Sequence, residues 1–478
     1  MIRLSKTALL LGCAVSVAAC TTVGPDYVEP ATITETGWID GSVGEASFAD
    51  VETWWASLED PQLARLMREA MTGASDVRIA QARRTRAAAL LRRTGAELGP
   101  SAEISTEAFS ERQSLSANPA IGAIEGFDRN QATFAIAGAA AWELDLFGGA
   151  RRDREAAFYR YQAADELLRS ANVSVALELA RLYFSMRAAQ QRIAEREEIV
   201  RLRDEQMRLA ELRYREGYSS RIDRDAVKQA LEEAKAELAG IADDAQTAAI
   251  MIAALLGKPP EAEIELLDQP ASLPNLTPVP RFPRGELVRR RPDIRAAERE
   301  VAASVADIGV ATAELFPRVA LTGGAGVRSL DLGNLVSEPS TFLSLGGILQ
   351  WRIFDSGRIR AEIDVAKADS RASLVAYEQA VVEALSEAET TLNRLSTNQN
   401  AFEARTSAAA SALAQSEANA QRFSAGYVNR LEVLSAMISE REAHLAVIEL
   451  RKDTLIAAVD FYGALGGGWT AAEMRPLR

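Results

Sequence analysis

The sequence has very little cysteine and histidine. It contains two cysteines, both among the first twenty residues, and one histidine, His444. This cysteine content excludes a disulfide framework, and a lone histidine argues against a histidine-based triad or zinc cluster. The chain also lacks a glycine loop of the kind that cradles phosphates. We therefore expect no enzyme, and we expect His444 to be an exposed helix residue.

The chain also lacks an excess of positive charge. Its 54 lysines and arginines are outnumbered by 67 aspartates and glutamates, which gives a formal net charge of -13 over 478 residues. A nucleic-acid partner requires clustered Lys and Arg, so we expect no nucleic acid as a partner. The 48% of hydrophobic residues suffices for a sizeable core.

The N-terminus has the features of an export signal. Arg3 and Lys6 precede an apolar stretch, Ala8 to Ala19, that is too short to cross a bilayer but suits a signal peptide. The end of this stretch, Val17-Ala18-Ala19-Cys20, resembles a bacterial lipobox. We expect residues 1–19 to be a signal peptide and Cys20 to carry diacylglycerol and an N-acyl chain, with no other cofactor and no metal. The alternative is an ordinary signal peptide followed by a chance cysteine.

The rest of the chain contains two copies of one pattern. Ser75-Asp76-Val77-Arg78 recurs as Pro292-Asp293-Ile294-Arg295, and Arg213 to Asp223 recurs as Arg422 to Glu432. Several landmarks recur in the same order about 210 residues later, which indicates two structural repeats. The predicted segments are an N-terminal segment (20–60), a first repeat (61–257), a linker (258–284), a second repeat (285–466) and a C-terminal tail (467–478). The linker contains seven prolines, which predict that it is extended.

Each repeat contains a stretch that predicts one very long helix. Residues 151–213 and 358–422 lack glycine and proline, and at 1.5 Å per residue each helix would be about 95 Å long. Their apolar residues step by four and three, which is coiled-coil spacing. Shorter helices are predicted over 61–98, 221–256, 292–315 and 430–465. Residues 76–98 with 221–256, and 293–315 with 430–465, add up to 59 residues in each repeat. This nearly equals one long helix, so two short helices stacked end to end could run beside it.

Alternating residues predict a pair of strands in each repeat, over 101–146 and 318–353. One face of each strand is apolar and the other is small or polar, which suits a membrane β-barrel with Trp142 and Trp351 at the membrane interface. A soluble hairpin that caps a helical domain is the alternative.

The number of strands predicts an assembly. A sheet edge cannot face lipid, because its backbone groups would lack partners. Two chains would supply eight strands, and such a barrel is only wide enough for side chains. Three chains would supply twelve strands and leave a lumen, so we expect a trimer if the barrel is a conduit.

The turns that follow the two long stretches predict two helical hairpin tips. Gly217 and Gly426 are placed where a helix ends in a left-handed residue. Ser220 with Asp223, and Asn429 with Glu432, predict capping boxes that begin the next helix. We expect Tyr214 and Phe423 to pack inside the tips, with Arg221 and Arg430 beside the caps. Turn chemistry alone would explain the glycines and caps; the aromatic and the arginine, kept in both copies, indicate a docking or closing surface.

The sequence resembles the TolC/OprM-like outer-membrane factor family, in its NodT-type lipoprotein branch. The similar motifs are Gly24-Pro25-Asp26-Tyr27 after Cys20, Trp54-Trp55 with Asp60-Pro61, Arg290-Arg291-Pro292-Asp293-Ile294, the two phenylalanine and Gly-x-Arg entries to the long helices, and the two tips. The resemblance covers essentially the whole mature chain.

This resemblance implies a mainly α fold with a transmembrane β part. The expected assembly is a homotrimer with a twelve-stranded barrel in the outer-membrane lipid of a Gram-negative bacterium. A long α-barrel with an equatorial region would lie in the periplasm. The resemblance also implies a lipid-anchored exit duct of a tripartite efflux system, which exports small molecules such as drugs. Its partners would be a periplasmic adaptor (membrane fusion protein) and an inner-membrane pump, which we expect to be of the RND type.

The resemblance also implies that the tips dock the adaptor and gate the duct. The residues at these positions are Tyr214, Gly217, Ser220, Arg221, Asp223, Phe423, Gly426, Asn429, Arg430, Leu431, Glu432 and Ser435. Family members often have an aspartate at the position of Ser435, so cation selectivity at that ring is in doubt. A type I protein-secretion conduit and a periplasm-spanning structural lipoprotein remain alternatives, and the sequence leaves the exported compound and the pump open.

Overall fold

The computed structural model describes residues 22–30, 37–39, 53–114, 116–117, 124, 128–269, 272–276, 279 and 284–468. The predicted signal peptide, Cys20 and residues 469–478 lie outside the described residues. The chain divides into two compact units. The sheet unit comprises the described residues up to Pro30 with 85–163 and 297–377, and the helical unit comprises the described residues of 31–84, 164–296 and those from Glu378 onward.

The described helices include two of 67 residues each, so each is about 100 Å long. The α-helices are α1 (Pro61–Gly73), α2 (Ser75–Ala96), α3 (Gly149–Arg215), α4 (Arg221–Leu255), α5 (Arg284–Arg290), α6 (Pro292–Ala313), α7 (Arg358–Ser424) and α8 (Arg430–Ala464). Short 3-10 helices cover Trp54–Leu58, Pro260–Asp268, Leu332–Asn334 and Glu338–Ser340. The predicted mainly α architecture is confirmed.

The linker between the repeats is not extended throughout, so that prediction was wrong in part. Residues Pro260–Asp268 form a 3-10 helix, because Pro260 is preorganised for the first helical position. The buried Glu263 accepts from Arg65 at 2.8 Å and from Lys258 at 2.7 Å. Gln190 of α3 donates to two backbone carbonyls near the end of this helix. The linker is therefore fastened to both α1 and α3.

The strands form one antiparallel sheet in the order β1-β2-β3-β4. Their bounds are Ser101–Arg112, Asn130–Leu144, Arg318–Ser329 and Thr341–Gln350. The predicted four strands are confirmed. Trp351 follows β4 and does not lie within it, which corrects the predicted strand end at 353. Strands β1 and β4 are the edges, and both edges are unpaired among the residues that the structure describes.

The two faces of the sheet differ in chemistry. The face that we call the apolar face carries, among others, Ile104, Phe134, Ile136, Trp142, Val319, Leu321, Val327, Leu343, Leu345 and Leu349, which the strand register brings to the same side. The opposite face, here called the polar face, carries Glu103, Glu107, Glu111, Gln131, Glu143, Thr322, Arg328, Ser344 and several glycines and alanines. A sheet with such faces suits lipid on one side and water on the other.

The helical unit is held by apolar contacts along α3. Ile199 and Leu202 of α3 pack with Ala234 of α4 and with Leu434 and Ile438 of α8. One cluster therefore joins the long helix of the first repeat to the short helices of both repeats. The C-terminal half of helix α7 instead buries only a narrow stripe at heptad spacing, Leu395, Ala409 and Ser416. Most of the other side chains in this half are exposed.

Candidate functional site

The tip between α3 and α4, here called the first tip, begins with a glycine-dependent helix end. Gly217 has a φ of 75°, its N–H donates to Tyr214 O, and Tyr218 N–H donates to Arg213 O at 2.7 Å. This pair of bonds is the Schellman arrangement that ends a helix. A Cβ at Gly217 would meet nothing within 4 Å, so the left-handed backbone, and not lack of space, requires glycine here.

A reciprocal capping box begins α4 at the first tip. Ser220 Oγ accepts from Asp223 N at 3.1 Å, and Asp223 Oδ2 accepts from Ser220 N at 3.0 Å. These bonds from the Ser220 side chain and backbone hold the pKa of Asp223 below its usual range. Arg224 lies over the Tyr214 ring at 4.6 Å and bonds Asp225. The first tip is therefore stabilised by its own residues.

The tip between α7 and α8, here called the second tip, repeats the same backbone turn. Gly426 has a φ of 80°, and Tyr427 N–H donates to Arg422 O at 2.9 Å. Asn429 Oδ1 accepts from Glu432 N at 3.1 Å. The predicted capping box differs here, since Glu432 accepts from the Asn429 side-chain amide at 2.7 Å and not from its backbone N–H.

The second tip is bonded to the long helix of the other repeat. Arg430 Nε donates to Glu205 Oε1 of α3 at 2.8 Å, and this bond holds the pKa of Glu205 below its usual range. Next to it, Gln206 Nε2 of α3 donates to Ser435 Oγ of α8 at 3.1 Å. By contrast, Arg221 of the first tip pairs with Asp225 of its own helix at 3.3 Å. The two equivalent arginines thus have different kinds of partner.

More ion pairs continue along the contact between α3 and α8. Arg441 bonds Glu195 at 3.1 Å, and Arg192 lies 3.3 Å from Glu449. Arg181 bonds Asp460 at 2.7 Å. His444 is half-buried near Glu195, which corrects the expectation that it is an exposed helix residue. Polar contacts between α3 and α8 thus extend from the Arg181–Asp460 pair to the Arg430–Glu205 pair near the second tip.

Large apolar side chains at the tips lie open to solvent in the single chain. Tyr218 and Tyr427 are each 78% exposed and Ile222 is 81% exposed. Tyr214 and Phe423 are 36% and 42% exposed, so the prediction that they pack inside the tips was wrong. A hairpin tip of two helices has no third layer that could cover these rings completely, and Arg224 covers only one face of Tyr214. The exposed aromatic and aliphatic surface is available to a neighbouring molecule.

The two predicted interface tryptophans make the same contact in both repeats. Trp142 Nε1 donates to Leu98 O, and Trp351 Nε1 donates to Leu315 O, each at 3.0 Å. Both indoles remain partly exposed, and each bonds the chain just after the helix that precedes its hairpin. An indole with one bonded polar edge and an exposed ring suits the border of a membrane.

The segment that follows Cys20 is fixed to the start of α3. The buried Arg152 donates to Val23 O at 3.1 Å and to Asp26 at 2.6 Å. Gly24, with a φ of 91°, packs tightly on Gly309. A Cβ added to Gly24 would lie 2.4 Å from the Cα of Gly309. This segment is therefore held where the sheet meets the helices of the sheet unit.

Sequence reasoning missed three residues that matter at the tips. Glu205 and Gln206 lie within a long helical stretch, and no local motif distinguishes them. Comparison of the two repeats could have identified Arg224, because an arginine stands here where the second repeat has Val433, which is buried. Within the described ranges, no group of three or more His, Cys, Asp or Glu side chains is placed to hold a metal ion.

Residues 66–258 and 284–467 match the sequence profile of the family described as outer membrane efflux protein. The outer membrane protein OprJ of Pseudomonas aeruginosa is 30% identical over 471 residues, which cover 97% of this chain and 95% of OprJ. The toluene efflux pump outer membrane protein TtgC of Pseudomonas putida is 27% identical over 483 residues, covering 98% of this chain and 96% of TtgC. The solved structure of the outer-membrane channel OprN is similar with a TM-score of 0.82, at 31% identity, over 94% of this chain and 99% of that one.

Proposed function

The chain belongs to the outer membrane efflux protein family, and from this premise we propose that three copies form the exit duct of a tripartite pump. As a member of this family it is a non-enzymatic outer-membrane channel of Gram-negative bacteria. We propose four features of this duct: closure of the barrel by three chains, docking of the adaptor at the tips, a polar gate and a lipid anchor on Cys20.

The observation that carries trimeric closure is the sheet with two unpaired edges and one apolar face. Unpaired backbone groups at β1 and β4 would be destabilising in lipid, so copies must pair edge to edge until the barrel closes. Eight strands from two copies would be filled by side chains, whereas twelve strands from three copies leave a lumen. A duct therefore requires at least three copies.

The exposed tips support docking of a periplasmic adaptor. Tyr218, Ile222 and Tyr427 present apolar surface to solvent, and a helical hairpin offers grooves into which apolar residues of partner helices could insert. An inner-membrane pump, which we expect to be of the RND type, would supply the energy. The chain itself would only conduct.

The contacts of the second tip support a polar gate. The Arg430–Glu205 and Gln206–Ser435 bonds tie α8 to α3 close to the tip. Contacts of this kind contribute about 0.5–1.5 kcal/mol each, so adaptor binding can supply enough free energy to break them. Opening would then consist of a shift of the second tip away from α3.

The bonds of Arg152 to the segment after Cys20 support a lipid anchor close to the membrane. Acyl chains on Cys20 would enter the inner leaflet beside the barrel. The barrel itself would supply a second, stronger attachment beside these acyl chains. We expect Cys20→Ala to abolish acylation while trimers still form.

A protein-secretion conduit remains the second candidate, but a small-molecule duct has better support. A relative that aligns over nearly the whole length is by name the outer membrane protein of a toluene efflux pump. The exported compound of this chain would therefore be a small molecule such as a drug or solvent.

The mass of the purified protein in detergent, with lipid-bilayer conductance, tests this proposal. We expect a particle with the mass of three chains that conducts after reconstitution. A monodisperse monomer, or trimers that fail to conduct even when the gate bonds are removed by Arg430→Ala with Ser435→Ala, would contradict the proposal. Docking of the adaptor is tested by crosslinking to it from Tyr218→Cys, with Phe158→Cys near the N-terminus of α3 as the control.

A further inference from the structure

The polar face of the sheet has a regular series of carboxylates on one strand. Glu103, Glu107 and Glu111 follow each other at every fourth residue of β1. At about 3.3 Å per residue, neighbours in this series are about 13 Å apart along the strand. Within the part of the chain that the structure describes, neither Glu103 nor Glu107 makes an ion pair. Their surroundings across the sheet nevertheless differ.

The row of residues that runs across the sheet from Glu103 has no positive charge. Glu103 lies opposite Ala139, Ala139 opposite Gly324, and Gly324 opposite Ser344. Strand β4 contains neither lysine nor arginine. The arginine of β3 nearest to this row, Arg328, is four residues along the strand from Gly324, or about 13 Å. The charge of Glu103 is therefore not compensated within the sheet.

The row that runs from Glu107 contains a compensating charge. Glu107 lies opposite Ala135, which lies opposite Arg328. Two strand spacings separate Glu107 from Arg328, or about 10 Å. The Arg328 guanidinium lies over the Phe342 ring at 5.5 Å, on the same face. The net charge of this row is zero, while that of the Glu103 row is negative.

The polar face has to line the lumen if the sheet closes into a barrel. Charged side chains are destabilising when they face lipid, and the other face of the sheet carries leucine, isoleucine, valine and phenylalanine. In the trimer of the proposed function, on which this step rests, threefold symmetry places three copies of Glu103 at one height. Threefold symmetry does the same for Glu107 and Arg328, but there the charges cancel.

We propose that Glu103 determines the ion selectivity of the barrel part of the duct. Three uncompensated carboxylates around the lumen attract cations and repel anions, as charged rings do in other cation-conducting pores. The duct thus favours cationic small molecules over anionic ones at the level of the barrel. The tip does not supply this preference at position 435, where the chain has an uncharged serine.

The test is the permeability ratio of potassium to chloride in planar bilayers, for Glu103→Gln and for Glu107→Gln combined with Arg328→Gln. Both are placed in an Arg430→Ala background, so that the second tip limits the current less. At about 0.1 M salt the Debye length is about 10 Å. Three carboxylates about 10 Å from a permeating ion therefore change the permeability ratio roughly threefold. We expect Glu103→Gln to lower the ratio by this factor, and the paired change at Glu107 and Arg328, which removes equal and opposite charges, to leave it nearly unchanged.

Two further measurements separate an electrostatic effect from a structural one. Arg328→Gln should raise the ratio, because Glu107 then becomes uncompensated. The effect of Glu103→Gln should vanish at about 1 M salt, where the Debye length is about 3 Å. Equal ratios for the parent and Glu103→Gln, or an effect that persists at 1 M salt, would overturn the inference. Protein that forms no channels at all would instead contradict the proposed function.

Discussion

The first and second tips end their long helices with the same backbone turn, yet their arginines have different partners. Gly217 and Gly426 have the same left-handed conformation and the same pair of closing bonds. Arg221 pairs within its own helix, whereas Arg430 reaches Glu205 of the other repeat. A duplicated turn can thus keep its local chemistry while one copy acquires a contact between repeats. The second tip is the one we expect to move.

The largest effect should come from breaking both polar links of the second tip. We expect Arg430→Ala combined with Ser435→Ala to favour the open state by about 1–2 kcal/mol, or roughly tenfold, since one hydrogen bond and one partly exposed ion pair are lost. Bilayer conductance and dye entry into cells measure this change.

Arg221→Ala is the matched control for that pair. It removes an exposed pair within one helix, so the free energy should change by less than about 0.5 kcal/mol. Equal leakage from Arg221→Ala and the double variant would show that the contact between repeats does not distinguish the tips.

The second-largest effect should come from replacing the helix-ending glycines, and it should be the same at both tips. Gly217→Ala and Gly426→Ala each force a Cβ into a left-handed backbone, which costs about 1 kcal/mol. Because nothing lies within 4 Å of either position, steric clash adds no further cost. Hydrogen exchange at the ends of α3 and α7 measures the local loss of stability. A much larger effect at one glycine would mean that the two turns are not equivalent.

The caps should differ slightly between the tips. Loss of a helix cap costs about 1 kcal/mol or less, and the first cap is reciprocal while the second is not. We therefore expect Ser220→Ala to destabilise the start of α4 somewhat more than Asn429→Ala destabilises the start of α8. Hydrogen exchange of the first turn of each helix provides the comparison, and the reverse order would contradict it.

The smallest effect concerns pH. The bond from Arg430 holds the pKa of Glu205 below its usual range, so this link stabilises the closed state above that range and is lost as pH falls through the lowered pKa. Conductance should therefore rise under acidic conditions and stay constant near neutral pH. In Arg430→Ala this part of the acid response should disappear, and an unchanged response would assign it to other carboxylates.

Much of the fold was predictable, because it depends on local chemistry. Long stretches without glycine or proline, and the two-residue alternation of the strands, are properties of short windows of sequence. The linker was less predictable, since a 3-10 helix beginning at Pro260 depends on Arg65 and Lys258 holding Glu263. The partial exposure of Tyr214 and Phe423 was missed because packing inside a tip requires a third layer that the hairpin lacks.

The repeats, the helices and strands, the helix-ending glycines and the parity of the sheet faces can all be read from the amino-acid sequence. These features follow from backbone preferences and side-chain periodicity, which act over a few residues. Two pairings instead depend on the folded chain: Arg430 bonds Glu205, and Arg328 shares a row with Glu107 and not with Glu103. Those pairings join residues more than two hundred positions apart. No local preference fixes which charges then face each other; the packing of the helices and the strand register do.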